Sequence, residues 1–131
     1  MTAEEKDLLL KDLCARLPYG VKCQIDIKGF CWHTTKDAIL KAIYSDGDVL
    51  FHDTKDLGVF HYSDFKPYLR PMSSMTEDEE IEYDKTFIHL DGLGRVETFR
   101  TFDWLNQHHF DYRGLINKGL ALEAPEGMYN F

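Results

Sequence analysis

The chain has 131 residues, a length that suits one folded domain. Hydrophobic residues make up 44% of it and aromatic residues 14%, which is enough for a packed core and excludes a wholly disordered chain. The formal net charge of −8 argues against a nucleic-acid partner, because phosphate-binding surfaces need clustered Lys and Arg. A solvated acidic surface is the simplest interpretation. The alternative is a surface that imitates nucleic acid and occupies a nucleic-acid-binding protein.

The cysteine content and the N-terminal sequence favour a cytoplasmic location. Cys14, Cys23 and Cys31 are too few, and odd in number, for a small secreted disulfide scaffold. Residues 1–13 are charged throughout and lack the apolar segment of a signal peptide. No run of about 18 apolar residues is present, so we predict no membrane association. The thiols are expected to be reduced.

The first predicted element is an amphipathic helix over residues 3–16. Thr2 and Glu5 match the S/T-x-x-E capping box, which satisfies free amides where a helix begins. Pro18 and Gly20 end the pattern. The apolar face consists of four leucines at helical spacing: Leu9, Leu10, Leu13 and Leu17.

Short strands are predicted next. Residues 21–27 alternate between apolar and polar, as in a half-buried strand. Further short apolar runs, each bounded by turn signals, lie at residues 30–33, 38–44, 49–52 and 59–62. Ser63 is predicted to cap a helical turn over residues 64–69, which Pro71 ends. A curled antiparallel sheet of this kind, closed by one helical turn, favours the SH3-like barrel class.

The segment from Lys66 to Met72 carries two candidate binding residues. Tyr68 and Arg70 lie between two prolines, which stiffen the backbone and favour an exposed conformation. We interpret the segment as a rigid exit from the barrel, with a ligand for a partner protein as the alternative.

The remainder, residues 72–131, is predicted to be mixed and mainly helical. Thr76 and Glu79 form a second capping box, and the acidic residues after Thr76 favour the first turn of a helix. The elements predicted after it are strands at 87–90 and 96–99, a helix from Asp103 through His109, and a helix over 112–118 capped by Asp111.

We therefore predict a single α+β domain over residues 1–131. It consists of an N-terminal helix (1–18), a small β-barrel-like unit (19–71) and the C-terminal part (72–131). The C-terminal part is expected to pack on the sheet through seven residues: Trp104, Leu105, Phe110, Leu115, Ile116, Leu120 and Leu122.

The aromatic C-terminal segment is the main candidate for recognition. Aromatic residues and arginine are enriched at the centres of protein interfaces. The predicted binding residues, which include the two named above, are Tyr68, Arg70, Trp104, His108, His109, Tyr112 and Arg113. A protein partner is expected, and the oligomeric state does not follow from the sequence.

No catalytic, cofactor or metal site is predicted. Zinc usually needs four ligands, and the nearest grouping is Cys23, Cys31 and His33, of which only the last two are close in sequence. His108 and His109 diverge by about 100° on a helix, so they do not share one site. The alternative is a small enzyme in which one of these histidines acts with Asp103 or Asp111.

Three segments resemble a known group of proteins: LLLKDLCARLPYGV (8–21), KPYLRPMSSMT (66–76) and FDWLNQHHFDYRGLINKGLALEAPEGMY (102–129). They are similar to small uncharacterised proteins encoded, often in several copies, in gut Bacteroides-type genomes and their phages. Residues 22–65 carry no such resemblance. The resemblance implies a bacterial or phage cytoplasmic protein and brings no activity, ligand or catalytic residue.

The leading functional prediction is a non-enzymatic binding or accessory module of a bacterium or its mobile elements, acting through protein–protein contact. The His/Asp enzyme and the nucleic-acid mimic remain alternatives. So does nucleic-acid contact through a basic face, for which the candidate residues are Lys66, Arg70, Arg95, Arg100 and Arg113.

Overall fold

A computed structural model describes residues 1–54 and 57–129. The fold is α+β, with an N-terminal helix and a mixed sheet, which confirms the predicted class. The helices are α1 (Ala3–Arg16), α2 (Glu77–Asp84) and α3 (Phe99–Gln107). The strands are β1 (Lys22–Lys28), β2 (His33–Ile43), β3 (Val49–Phe51), β4 (Phe65–Leu69), β5 (Ile88–Leu90), β6 (Gly94–Val96) and β7 (Leu122–Glu123). Within the described ranges, no helix has the length and apolar character needed to cross a membrane.

Helix α1 has the predicted bounds and the predicted cap. The Thr2 hydroxyl accepts from the Glu5 amide at 3.1 Å, and the Glu5 carboxylate accepts from the Thr2 amide at 3.0 Å. Leu9 and Leu13 are fully buried against the sheet core. Gly20, with φ of 70°, then turns the chain into β1.

Five strands form one open sheet in the order β3-β2-β1-β4-β7. Its pairs are antiparallel except β4 with β7, where Tyr68 lies beside Leu122 in parallel register. The sheet is therefore mixed rather than antiparallel. The described strands do not close into a barrel, so the SH3-like class is not confirmed.

Residues 64–69 were expected to form a helical turn, and this prediction is wrong. They contain strand β4, in which Lys66 is exposed and the other four residues are buried. A strand that is mostly buried shows little alternation in its sequence, and the prolines suggested an exposed rigid segment.

Three other strand predictions also differ. Residues 30–32 lie in the bend between β1 and β2, and residues 59–62 contribute only a bridge between Val49 and Phe60. The strand expected at 96–99 is instead β6 at Gly94–Val96, because Phe99 already begins α3.

The C-terminal part is less helical than predicted. Helix α3 begins at Phe99 with Thr98 as its cap, four residues before the expected Asp103, and it ends at Gln107. Residues 112–118 form turns, so the second predicted helix is not found in them. Gly114 has φ of 75°, which is incompatible with a right-handed helix at that point.

The C-terminal part nevertheless packs on the core as expected. Leu105, Phe110, Leu115 and Leu120 are buried, and Trp104, Ile116 and Leu122 are half-buried. The aromatic C-terminal segment is thus largely a structural element that covers α1 and the sheet.

Candidate functional site

Tyr112 and Arg113, two predicted binding residues, make contacts within the chain. Arg113 Nη1 lies 2.8 Å from Asp12 Oδ1, and the Tyr112 hydroxyl donates to Asn106 Oδ1 at 2.9 Å. Asp12 also pairs with Arg16 at 2.9 Å, and both of these side chains are fully buried. Asp12, which Arg16 holds in place, therefore anchors the C-terminal segment to α1 through Arg113.

Arg70, Trp104 and His108 belong to a second cluster. The Trp104 ring stacks on His108 at 4.1 Å and on Phe110 at 5.6 Å. The Arg70 guanidinium lies 4.2 Å from the Phe110 ring centroid and binds both carboxylate oxygens of Glu79, at 2.7 and 2.8 Å. These hydrogen bonds to Arg70 are the main reason that the pKa of Glu79 is lowered. The cluster joins β4, α2 and α3.

His109 and Tyr68 are also part of the interior. His109 is 1% exposed, its Nε2 bonds to the Tyr19 carbonyl at 3.1 Å, and its ring stacks on Tyr129 at 4.1 Å. The Tyr68 hydroxyl donates to Asp37 at 2.8 Å, and the Tyr68 carbonyl accepts from the Tyr129 hydroxyl at 2.8 Å. The seven predicted residues thus lie in connected packing clusters with partners in the chain.

The groups of the alternative enzyme site have structural contacts. Burial, followed by the charge of Arg16, lowers the pKa of His109 to about 3. The Asp111 carboxylate accepts from the amides of Leu115 and Ile116 at 2.8 and 3.0 Å. Burial rather than a catalytic partner therefore accounts for the lowered pKa of His109.

The cysteines and His33 do not assemble. Cys23 is buried in the core, whereas Cys31 is exposed beyond the sheet. In residues 1–54 and 57–129, no group of three or more His, Cys, Asp and Glu side chains is arranged to hold a metal ion.

The first exposed apolar surface is an arm, residues 26–37, formed by the outer part of the β1–β2 hairpin. It extends beyond its neighbours, because β1 pairs with β4 only as far as Ile25 and β2 pairs with β3 only from Leu40. At its tip the Phe30 side chain is 103% exposed and Trp32 is 58% exposed. One face of the Trp32 indole lies directly on Gly29, at the place that a Cβ atom of any other residue would occupy. The side chain as a whole remains more than half exposed.

The second exposed surface is one face of the small β5–β6 hairpin. Ile88 pairs with Val96, and Leu90 pairs with Gly94, so the three side chains lie on the same face. They are 57%, 49% and 42% exposed for Ile88, Val96 and Leu90. We call these three residues the β5–β6 apolar face. Two further apolar side chains, Leu93 in the turn and Phe99 just after β6, are 83% and 77% exposed.

The opposite face of this hairpin is fixed to the body of the protein. Arg95 Nη1 lies 2.6 Å from Asp84 at the end of α2, and its guanidinium lies 4.0 Å from the centroid of the buried Phe87 ring. His89 also bonds to the Asp84 carbonyl at 3.0 Å. The hairpin is therefore held by its polar side and displays its apolar side.

Sequence reasoning missed both exposed surfaces. Residues 87–90 were predicted as a strand, and a predicted strand does not tell whether its apolar side meets the core. Phe30 and Trp32 were assigned to a strand. A signal was present in the Lys28-Gly29 turn dipeptide, because the segments that connect strands run over the protein surface.

No protein-family model matches the chain, and neither a curated protein nor a solved structure matches it significantly.

Proposed function

We propose that the chain is a non-enzymatic binding module that acts through protein–protein contact. The proposal includes a cytoplasmic accessory role in a bacterium or its mobile elements. The observation that carries it is the β5–β6 apolar face, whose three side chains are all more than two-fifths exposed. Contiguous apolar patches on a surface mark sites of interaction.

The energetics of a two-stranded hairpin favour this function. An isolated pair of strands is only marginally stable in water, so one with an apolar outer face gains from a partner that covers it. Full burial of an aliphatic side chain contributes about 1.5–3 kcal/mol. Ile88, Val96 and Leu90 are about half-exposed, so covering them would contribute about half of that value each, and Leu93 and Phe99 nearby would add to it.

The net charge of the protein bears on the charge of the partner. Asp84 connects the hairpin to α2, whose exposed side chains include four carboxylates without an ion pair among the described residues: Glu77, Asp78, Glu80 and Glu82. We therefore propose a partner with an apolar groove and a net positive charge. Opposite net charges on the two proteins would speed association.

The predicted binding residues have a supporting role in this proposal. Arg70 pairs with Glu79 on α2, and Trp104 on α3 lies 5.5 Å from Tyr83 of α2. They hold the helices from which the hairpin extends, so their loss would affect binding through the fold.

Capture of partners from native host lysate tests the proposal. The test variant, L90T/V96T, makes two positions of the β5–β6 apolar face polar. The matched control, L57T/V59T, changes an exposed pair elsewhere, because Leu57 and Val59 are 46% and 49% exposed against 42% and 49% for Leu90 and Val96. All proteins must first show the same thermal unfolding midpoint.

We expect wild type and L57T/V59T to retain the same stoichiometric protein, and L90T/V96T to lose it by about tenfold or more in affinity. Equal retention by L90T/V96T contradicts the proposal, as does an eluate of nucleic acid alone.

A further inference from the structure

The β5–β6 hairpin has little contact with the rest of the protein. All ten residues from 88 to 97 are exposed, and among the described residues neither strand pairs with the five-stranded sheet. A pair of strands without a core of its own is only marginally stable in water. The few contacts between the hairpin and the body of the protein therefore decide how often the β5–β6 apolar face is formed.

The base of the hairpin is closed by three threonines. The Thr98 hydroxyl donates to the Thr86 carbonyl at 2.9 Å, and the hydroxyl of the buried Thr101 donates to the same carbonyl at 3.1 Å. These bonds join the chain that enters the hairpin to the chain that leaves it. They lie outside both strands, so the orientation of the strands depends on other contacts.

Asp84, the last residue of α2, contacts both strands of the hairpin. Its Oδ1 lies 2.6 Å from Arg95 Nη1 on β6, and its Oδ2 lies 3.4 Å from His89 Nε2 on β5. His89 and Arg95 are paired across the strands, on the face opposite the β5–β6 apolar face. One carboxylate therefore connects the two strands to each other and to α2.

The Arg95 guanidinium also covers an aromatic contact at the base of the hairpin. It lies 4.0 Å from the centroid of the Phe87 ring, and that ring packs edge-on against Tyr83 of α2, with centroids 5.0 Å apart. The ion pair with Asp84 orients the guanidinium over this ring. Loss of the carboxylate would therefore weaken both contacts of Arg95.

The position of Asp84 within α2 is unfavourable for the helix itself. A carboxylate in the last turn meets the negative end of the helix dipole, and the last turn of α2 contains no basic residue. The cation that offsets this position, Arg95, comes from the hairpin. A residue that conflicts with its own helix and is balanced by another element points to a functional constraint.

We propose that Asp84 is a positioning residue, which holds the β5–β6 hairpin in the orientation that displays its apolar face to the partner. Without this carboxylate the hairpin opens more often as a unit, while the five-stranded sheet stays folded. The inference rests on the proposed function, which supplies the partner. A partner that binds only the folded hairpin loses affinity in proportion to the folded fraction.

Amide hydrogen exchange of the isolated chain, followed residue by residue by NMR, tests the inference. The test variant, Asp84→Asn, removes the charge and keeps the backbone carbonyl that His89 contacts. It also removes the unfavourable interaction with the helix dipole, so α2 is not weakened. The matched control is Asp91→Asn, the same change at an exposed position in the hairpin turn, where Asn before Gly is equally suitable.

We expect Asp84→Asn to raise the exchange rates of the hydrogen-bonded amides in β5 and β6 about fivefold, and Asp91→Asn to leave them within about twofold of wild type. In about 1 M salt the wild-type rates should approach those of Asp84→Asn, because salt screens an exposed ion pair. The amides of β1 should exchange at the wild-type rate in both variants.

Equal exchange of the hairpin amides in Asp84→Asn and wild type overturns the inference. So does exchange that rises in the hairpin and in β1 together, since that result indicates unfolding of the whole protein.

The exchange measurement contains no partner, so its result is independent of whether L90T/V96T retains the captured protein. Where that protein is captured, Asp84→Asn should bind it more weakly than Asp91→Asn, although the β5–β6 apolar face is unchanged in both. Equal binding by these two variants would overturn the positioning role and leave the proposed function intact.

Discussion

At the scale of single residues, His109 shows how tertiary context changes the chemistry of a side chain. Its backbone has φ of 59°, its ring is buried against Tyr129, and its pKa is lowered to about 3. The sequence showed only a pair of adjacent histidines. It gave no indication that this residue would be so completely buried.

The first residue-scale prediction concerns pH. In the folded protein the His109 imidazole stays neutral down to about pH 3, whereas in the unfolded chain it is protonated below its ordinary pKa of 6.5. The unfolded state therefore binds more protons between these values, and the free energy of unfolding falls as the pH falls through this window. The loss approaches about 1.4 kcal/mol per pH unit from this group alone.

Denaturant unfolding of wild type and His109→Asn between pH 4 and 7 checks this prediction. Asn tolerates the positive φ and does not titrate. The free energy of unfolding of the variant is therefore expected to fall less steeply with falling pH than that of wild type, by the equivalent of about one bound proton, whatever its absolute stability. Parallel curves for the two proteins would contradict the assignment.

At the scale of elements, the junction of β1 and β4 depends on a side chain from the C-terminal segment. The Tyr129 hydroxyl accepts from the Lys22 amide at 2.8 Å and donates to the Tyr68 carbonyl at 2.8 Å. It thereby connects two neighbouring strands near Pro67, which has no amide to donate. Burial is also the main reason that the pKa of Tyr129 is raised.

Tyr129→Phe is expected to lower the free energy of unfolding by about 1–3 kcal/mol, because it leaves two backbone groups without their partner while the ring still packs on His109. Tyr44→Phe is the control, since Tyr44 is 47% exposed. Denaturant unfolding measures both. Equal stability of the two variants would show that water replaces the hydroxyl.

Elements whose sequence signals come from residues close together in the chain were predicted correctly more often than the others. The capping boxes at Thr2 and Thr76 marked the starts of α1 and α2, because a cap is formed by residues only three apart. Strand β4 was predicted wrongly because Pro67 and the nearby Pro71 indicated a stiff exposed segment, whereas its place in the sheet depends on β1 and β7. The helix predicted over residues 112–118 failed at Gly114, where a positive φ is required.

At the scale of the whole molecule, a buried charge cluster connects the two ends of the chain. Asp12 on α1 pairs with Arg16 and with Arg113, which is 101 residues away. Arg16 also donates to the Phe110 carbonyl at 2.6 Å. Since Asp12 is the carboxylate between two arginines, its removal leaves buried positive charge uncompensated.

We expect Asp12→Asn to destabilise the protein by about 3–5 kcal/mol, with loss of both the α1 and C-terminal contacts in one cooperative transition. Asp7→Asn, on an exposed position of the same helix, should stay within about 0.5 kcal/mol of wild type. Thermal and denaturant unfolding provide the measurement. A small effect at Asp12 would mean that the arginines find other partners.

The sequence by itself determined the α+β class, the N-terminal helix and most of the residues that pack the C-terminal part. These follow from periodicity, caps and apolar content, which are local properties of the chain. Only the tertiary structure decided that the predicted binding residues make their contacts within the chain, that the sheet stays open and that the arm and the β5–β6 apolar face are displayed. The physical reason is that exposure depends on which surfaces meet across long sequence separations, and a pattern of apolar residues is the same whether its apolar side meets the core or solvent.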